Sequence, residues 1–196
     1  MVEGYKPQDF SFFHRSEKLV QQDLHNYLVE DMKANGESYR GLKQRIKWYI
    51  NPRLRFTRNL RFHEYYANQP QTIYNKVMTA WHYYIHKKLS YKLGYTIYKN
   101  NFGPGVCFCH YGTLVVNKDA RIGKNCRIHV GVNIGSFNGG APVIGDNVYI
   151  GPEAKLFGSI NIGNNVSIGA NAVVNKSFPD SCVVVGIPAK IIKQKL

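Results

Sequence analysis

Ile144-Gly145-Asp146-Asn147-Val148-Tyr149-Ile150-Gly151-Pro152-Glu153-Ala154-Lys155-Leu156 carries an aliphatic residue at every sixth position. The register runs outward in both directions, through Val116, Ile122, Ile128 and Ile134 on one side and Ile162, Ile168 and Val174 on the other. Glycine directly follows Ile122, Ile134, Ile144, Ile150, Ile162 and Ile168. A second small or apolar residue returns four places after each aliphatic, as in Ala120, Cys126, Val132, Val148, Ala154, Ile160, Val166 and Ala172. Neither the 3.6 period of a helix nor the alternation of a strand produces this spacing. A period of six predicts a left-handed parallel β-helix of hexapeptide repeats, in which three short faces close one triangular turn of about 18 residues. Each aliphatic points inward, each glycine sits where the chain rounds a corner by positive φ or crowds a neighbour, and the turns stack at about 4.8 Å.

The register breaks once. From Ile134 to Ile144 the step is ten, so four residues are inserted around Ser136-Phe137-Asn138-Gly139-Gly140-Ala141-Pro142. A loop extruded from a regular solenoid is a natural place for function.

Upstream, residues 14–93 read as helices. Leu19, Leu24, Tyr27, Leu28 and Met32 line one face of a first helix that Gly36 closes. Leu42, Ile46, Tyr49 and Ile50 line a second, stopped by Asn51-Pro52, and Met78, Trp81, Ile85 and Leu89 line another that ends near Gly94. The expected organisation is α+β: an N-terminal helical domain over 1–93, the β-helix over 94–179 and a C-terminal tail over 180–196.

The 196 residues carry a formal charge of +14, which implies an acidic partner such as a phosphorylated cofactor, an acidic glycan or an anionic surface. The start, Met1-Val2-Glu3-Gly4-Tyr5-Lys6, has no apolar signal region, so a cytoplasmic location is expected. Cys107, Cys109, Cys126 and Cys182 lack zinc-site spacing and are expected as reduced thiols. Arg40, Lys43, Arg45, Lys47, Arg53, Arg55, Arg58 and Arg61 interleave with Trp48, Tyr49, Phe56, Phe62, Tyr65 and Tyr66. Such a segment suits a peripheral membrane surface or a charged sugar chain; the plainer expectation is aromatics packed on neighbouring helices with the basic groups solvated. No nucleic-acid fold signature accompanies it, so nucleic acid is not expected as a partner. His82 and His86 stand four apart with no third ligand, and His14, His25 and His63 have no informative context, so no metal is expected.

The chemistry is expected at the entrance to the β-helix. His110 falls near a corner six residues before Val116, and His129 follows 19 residues later, one turn plus one residue, which predicts two neighbouring imidazoles on adjacent turns. A neutral His can take a proton from a hydroxyl as it attacks an acyl carbon.

The stretch Cys109-His110-Tyr111-Gly112-Thr113-Leu114-Val115-Val116, then Ala120-Arg121-Ile122-Gly123 and the ending Val185-Gly186-Ile187-Pro188-Ala189-Lys190 resemble the hexapeptide acyltransferases, in particular the serine acetyltransferase group. The resemblance implies acetyl transfer from acetyl-CoA to a hydroxyl, without metal, in a homotrimer or dimer of trimers with active sites between neighbouring β-helices. It puts His110 at the catalytic base; His129, from its own place on the next turn, is expected to orient it. It puts CoA against Gly135, Ser136, Gly151, Pro152, Ala170, Ala189 and Lys190. Asn133 and backbone amides would stabilise the oxyanion, with Cys109 and Tyr111 flanking the base on the substrate side. Two positions depart from the group: its Asp before the catalytic His is Cys109 here, and its second His, at the end of the inserted loop, corresponds to about Ala141. The expected acceptor is therefore a sugar hydroxyl of a capsular or exopolysaccharide unit, with L-serine, as in cysteine biosynthesis, as the alternative. Two other classes stand beside it. The γ-class carbonic anhydrases share the β-helix but hold a metal through three His, where this repeat region has two. A non-catalytic scaffold or surface-binding module would use the basic aromatic segment.

Overall fold

The computed structural model describes residues 21–37 and 41–195. His14, Leu19 and Arg40 lie outside these residues, as do the side chains of Leu42, Lys43 and Arg45. Four helices, α1 (Gln21–Ala34), α2 (Leu42–Ile50), α3 (Pro52–Asn68) and α4 (Ile73–Leu93), precede a parallel solenoid of about five turns.

The period-six residues form the inside of that solenoid. Val116, Ile134, Ile144, Ile150, Ile168 and Val174 are completely buried, and the second set, from Ala120 to Ala172, is buried beside them. Three sheets make the faces. One stacks Tyr95–Thr96, Leu114–Val116, Asn133–Gly135, Lys155–Phe157 and Val173–Val174; a second holds Arg121–Ile122, Val143–Ile144 and Asn161–Ile162. The third stacks Cys107–Phe108, Arg127–Ile128, Tyr149–Ile150, Ser167–Ile168 and Cys182–Val185, to which Lys190–Gln194 adds antiparallel. The regular repeat is 18 residues, as in Ser167 against Tyr149, and the turn bearing the insertion is 22, as in Arg127 against Tyr149. The division of labour at the corners is sharper than expected. The left-handed positions are taken by Asn125, Asn147, Asn165 and Asn171, residues that tolerate that region best after glycine, and Asn125 Nδ2 donates to Asn147 Oδ1 at 2.9 Å. Gly105 and Gly131 are left-handed too, but the glycines that follow the aliphatics serve close stacking instead: a Cβ on Gly145 would come within 2.8 Å of the Gly163 carbonyl carbon.

The helical half departs from the expected faces in three ways. The segment 52–68 is a helix, opened by Pro52 and by Asn51, whose side chain accepts from Arg53 N at 3.0 Å. Its buried side carries Thr57, Asn59, Arg61, His63 and Glu64 among the apolar residues, so aliphatic spacing alone hides the period. In α2 the buried aromatic is Trp48, while Ile46, Tyr49 and Ile50 are exposed, because α2 rests on Leu28, Met32 and Leu54 through the opposite side. In α4, Leu89 is buried and Ile85 half-buried, but Trp81 faces outward in a stripe with Ile73, Val77 and Tyr84. Phe56, Leu60, Leu89 and Leu93 join the same core as the solenoid aliphatics, so α3 and α4 cap its first turn.

The expectation of solvated basic groups fails at Arg61, which is fully buried. Its guanidinium pairs with Asp31 at 2.7 Å and Glu64 at 2.9 Å, and donates to the carbonyls of Phe102 and Gly103. Asp31 in turn accepts from the N–H groups of Gly105 and Val106, and Glu64 from Asn100 N. These irregular residues would otherwise leave backbone groups unsatisfied where the solenoid begins. The network ties α1 and α3 to the segment leading into His110.

Candidate active site

The corner between the third sheet and the first carries His110. In the turns above, the path from the third-sheet aliphatic to the first-sheet strand is shorter. Phe108 aligns with Ile128 at an interval of 20 residues, yet Val115 aligns with Asn133 at 18, so two extra residues lie between Cys109 and Thr113. This corrects the expected spacing of one turn plus one residue: it is Cys109 that continues the register opposite His129, and His110 stands on the bulge. The bulge pushes His110 and Tyr111 into solvent. The imidazoles of His110 and His129 are nonetheless adjacent, with ring centroids 5.9 Å apart, and His129 meets the Tyr149 ring edge-on at 5.2 Å on the next turn. Partial burial, then His110, then Arg127 lower the His129 pKa, so its ring is held neutral.

The bulge is anchored from the helical half and from the first strand. Arg53 Nη1 donates to the carbonyls of Phe108, at 2.7 Å, and Cys109. Tyr95 OH donates to the His110 carbonyl at 2.6 Å. Sequence spacing could not expose these two contacts, because the partners lie 55 and 15 residues away in the chain. Among the described residues, no carboxylate hydrogen bonds to either ring nitrogen of His110. Cys109 Sγ lies 4.0 Å from Cys107 Sγ. The hydrogen bond from Cys107, followed by the charges of Arg127 and Arg53, lowers the Cys109 thiol, while Cys107 is pushed up by that hydrogen bond and by burial. Cys126 and Cys182 are buried, free and raised by burial.

His110 opens into a cavity of about 520 Å³ between the solenoid and the end of α1 and the start of α3, lined by Lys33, Glu37, Arg53, Cys109 and Arg127 among others. The remaining predicted residues fall into two groups. Gly151, Pro152 and Ala170 stack on the same corner as His110 and His129, followed at its far end by Ala189 and Lys190. Four strand spacings separate the Cys107 strand from the Cys182 strand, so this column runs about 19 Å. The N–H groups of Gly151 and Ala189 are already donated to Ile168 and Val173, so these two amides offer a ligand contact surface and no free donor. Gly135 and Ser136 lie elsewhere, at the next corner. Asn133–Gly135 is the strand that separates the two corners, and Ser136 Oγ accepts from Asn117 Nδ2 at 3.1 Å. Asn133 is exposed on that face. One chain therefore does not bring Gly135 and Ser136 to His110. Phe137, exposed in the loop, packs edge-on against Phe157 at 6.3 Å. His82 is stacked between Phe62 and Tyr66 and bonds Asn59, and His86 bonds the Ile97 carbonyl at 2.8 Å with the His63 ring 5.7 Å away. Among the described residues, no three His, Cys, Asp or Glu side chains come together to hold a metal ion.

Residues 141–176 match the family described as bacterial transferase hexapeptide (six repeats). The chain is 43% identical over 96 residues to the serine acetyltransferase of Mycobacterium tuberculosis, an overlap of 47% of this chain and 42% of that protein. It thus spans about two fifths of the length of the curated relatives it matches. In fold it resembles serine acetyltransferase from Brucella abortus in complex with coenzyme A, with a TM-score of 0.70 and 25% identity, covering 90% of this chain and 70% of that one. It also resembles the Neisseria gonorrhoeae serine acetyltransferase in complex with serine, with a TM-score of 0.67 and 26% identity, covering 88% and 70%. Residues 141–176 thus carry the hexapeptide transferase repeat, and the chain is similar to serine acetyltransferases in sequence over part of its length and in fold over most of it.

Proposed function

We propose that the chain is an acetyl-CoA-dependent O-acetyltransferase in which His110 is the general base. The observation that carries this reading is the placement of one exposed imidazole on a two-residue bulge, held by Arg53 and Tyr95, between the 520 Å³ cavity and the column running to Ala189. The acceptor hydroxyl enters from the cavity, and acetyl-CoA lies along the column with Lys190 near a phosphate. A ring nitrogen of His110 takes the hydroxyl proton as the oxygen attacks the thioester carbonyl. The tetrahedral intermediate collapses with departure of the CoA thiolate, which receives the proton back from His110. Neutral His129, 5.9 Å away, keeps the pair from carrying two charges. The chain assembles as a homotrimer, which brings the loop with Gly135 and Ser136, and Asn133 beside it, to the His110 corner of a neighbour.

Among acceptors, the names of the relatives put L-serine first. The sugar hydroxyl is the second reading, favoured by Cys109 and Ala141 standing where the serine acetyltransferase group has an acid and a histidine. The test is thiol release from acetyl-CoA with L-serine and a panel of sugars, wild type against His110→Ala. The variant is expected to lose transfer by about 100-fold or more while keeping the wild-type oligomer on a sizing column. Near-normal turnover by His110→Ala would refute the assignment.

A further inference from the structure

The cavity beside His110 has an unbalanced charge. Its lining contains three cationic side chains, Lys33, Arg53 and Arg127, and one carboxylate, Glu37. Glu37 is bound by Lys47 at 3.0 Å, and Lys33 is bound by Glu30 at 2.7 Å. Among the described residues, Arg53 and Arg127 have no carboxylate partner. Arg53 donates from Nη1 to the carbonyls that anchor the bulge. Arg127 points outward from the strand paired with Cys107, is exposed, and reaches only the Cys109 thiol. An ammonium group in this cavity would find two guanidinium groups and no free carboxylate, whereas a carboxylate or phosphate would find Arg127 unpaired and able to donate two parallel hydrogen bonds.

Resting on the acetyltransferase reading, and reversing the order of acceptors that the relatives' names suggest, we infer that the acceptor is a hydroxyl compound with an anionic group, carboxylate or phosphate, and no ammonium, and that Arg127 is the residue that selects it. Arg127 is a specificity residue; the reacting hydroxyl still meets His110. The anion lies toward Arg127 and the hydroxyl toward the bulge, within one cavity. Arg53 adds its charge from the α3 side, so the helical half takes part in acceptor choice.

Two pairs of acceptors, each varying one charged group, test this with the full chain. D-Glucuronate and glucose 6-phosphate are compared with D-glucose, and 3-hydroxypropionate with L-serine. The anionic sugars are expected to exceed glucose by about tenfold in kcat/KM, with one of them identifying carboxylate or phosphate, and 3-hydroxypropionate to exceed serine. In Arg127→Gln the preference should vanish through acceptor KM, with the KM of acetyl-CoA unchanged, and Arg127→Lys should restore part of it. Equal use of glucose, preference for serine over 3-hydroxypropionate, or a rise in the acetyl-CoA KM in place of the acceptor KM would each overturn the inference. Calorimetric titration of glucuronate and glucose 6-phosphate into the protein separates this from the activity itself. Binding that Arg127→Gln removes supports the site even if no acceptor is acetylated, and absence of binding by both anions at millimolar concentration overturns it.

Discussion

Replacing Arg61 by Met removes the only positive charge in a fully buried cluster. Met fills much of the volume and cannot reproduce the bonds to Asp31, Glu64, Phe102 O and Gly103 O. Breaking one side of a buried ion pair costs about 3–5 kcal/mol, because the remaining charge stays desolvated. Here two carboxylates are left, although Asp31 keeps the N–H groups of Gly105 and Val106 and Glu64 keeps that of Asn100. An expected loss of about 4 kcal/mol corresponds to a fall in Tm of about 8–16 °C for a chain of this size. The reading is direct, since the two tryptophans, Trp48 and Trp81, both lie in the helical half. Urea unfolding followed by their fluorescence should move to a lower midpoint. The sign with pH also follows. Burial already pushes the Glu64 carboxyl up, and loss of Arg61, which opposes that rise, pushes it further. A group with a raised folded pKa binds its proton more tightly when folded, so the deficit should be largest above that raised pKa, shrink as pH falls from it toward the ordinary carboxylate value of about 4.5, and vanish below that. An Arg61→Met protein with the wild-type urea midpoint at pH 7 would refute the idea that this cluster locks the helices to the solenoid.

Two further expectations concern stability. Burial, then the neighbouring His86, Lys99 and His82, holds His63 down at about 4 from 6.5, and its Nδ1 is buried without a partner. The unfolded chain therefore takes up a proton that the folded one refuses, so this contribution is complete above pH 6.5 and is lost as pH falls toward 4. It amounts to about 3 kcal/mol, and His63→Phe should flatten the fall in Tm over that window; an unchanged slope would count against it. In the solenoid, Ile150→Ala should cost about 3–4 kcal/mol by emptying a completely buried site between rigid turns, measurable as a lower denaturation midpoint; a cost below about 1 kcal/mol would mean that the turns collapse onto the void.

The period from Val116 to Val174 and the ten-residue step at Ile134 determined the parallel solenoid, its inward residues and the site of the extruded loop, because each repeat is a local unit whose side-chain direction depends only on its place in the hexapeptide. That His110 lies at a corner beside His129 was legible too, although the bulge that carries it was not. Three further things were not. Helix α3 was hidden because it buries Arg61, His63 and Glu64, and a polar residue reads as buried only when its partners, here Asp31 on another helix, are known. Trp81 was read on the inward face with Ile85 and Leu89 but lies in an outward stripe with Val77 and Ile73, because periodicity identifies apolar faces and not which of two apolar faces the neighbours cover. The charge balance of the cavity beside His110 was decided by tertiary structure alone: Arg53, Cys109 and Arg127 are far apart in the chain, and only the docking of α1 and α3 against the first turns gathers two guanidinium groups without carboxylate partners around one imidazole. Local repetition can be read along a sequence, but charge balance in a cavity is a sum over residues that only the fold places together.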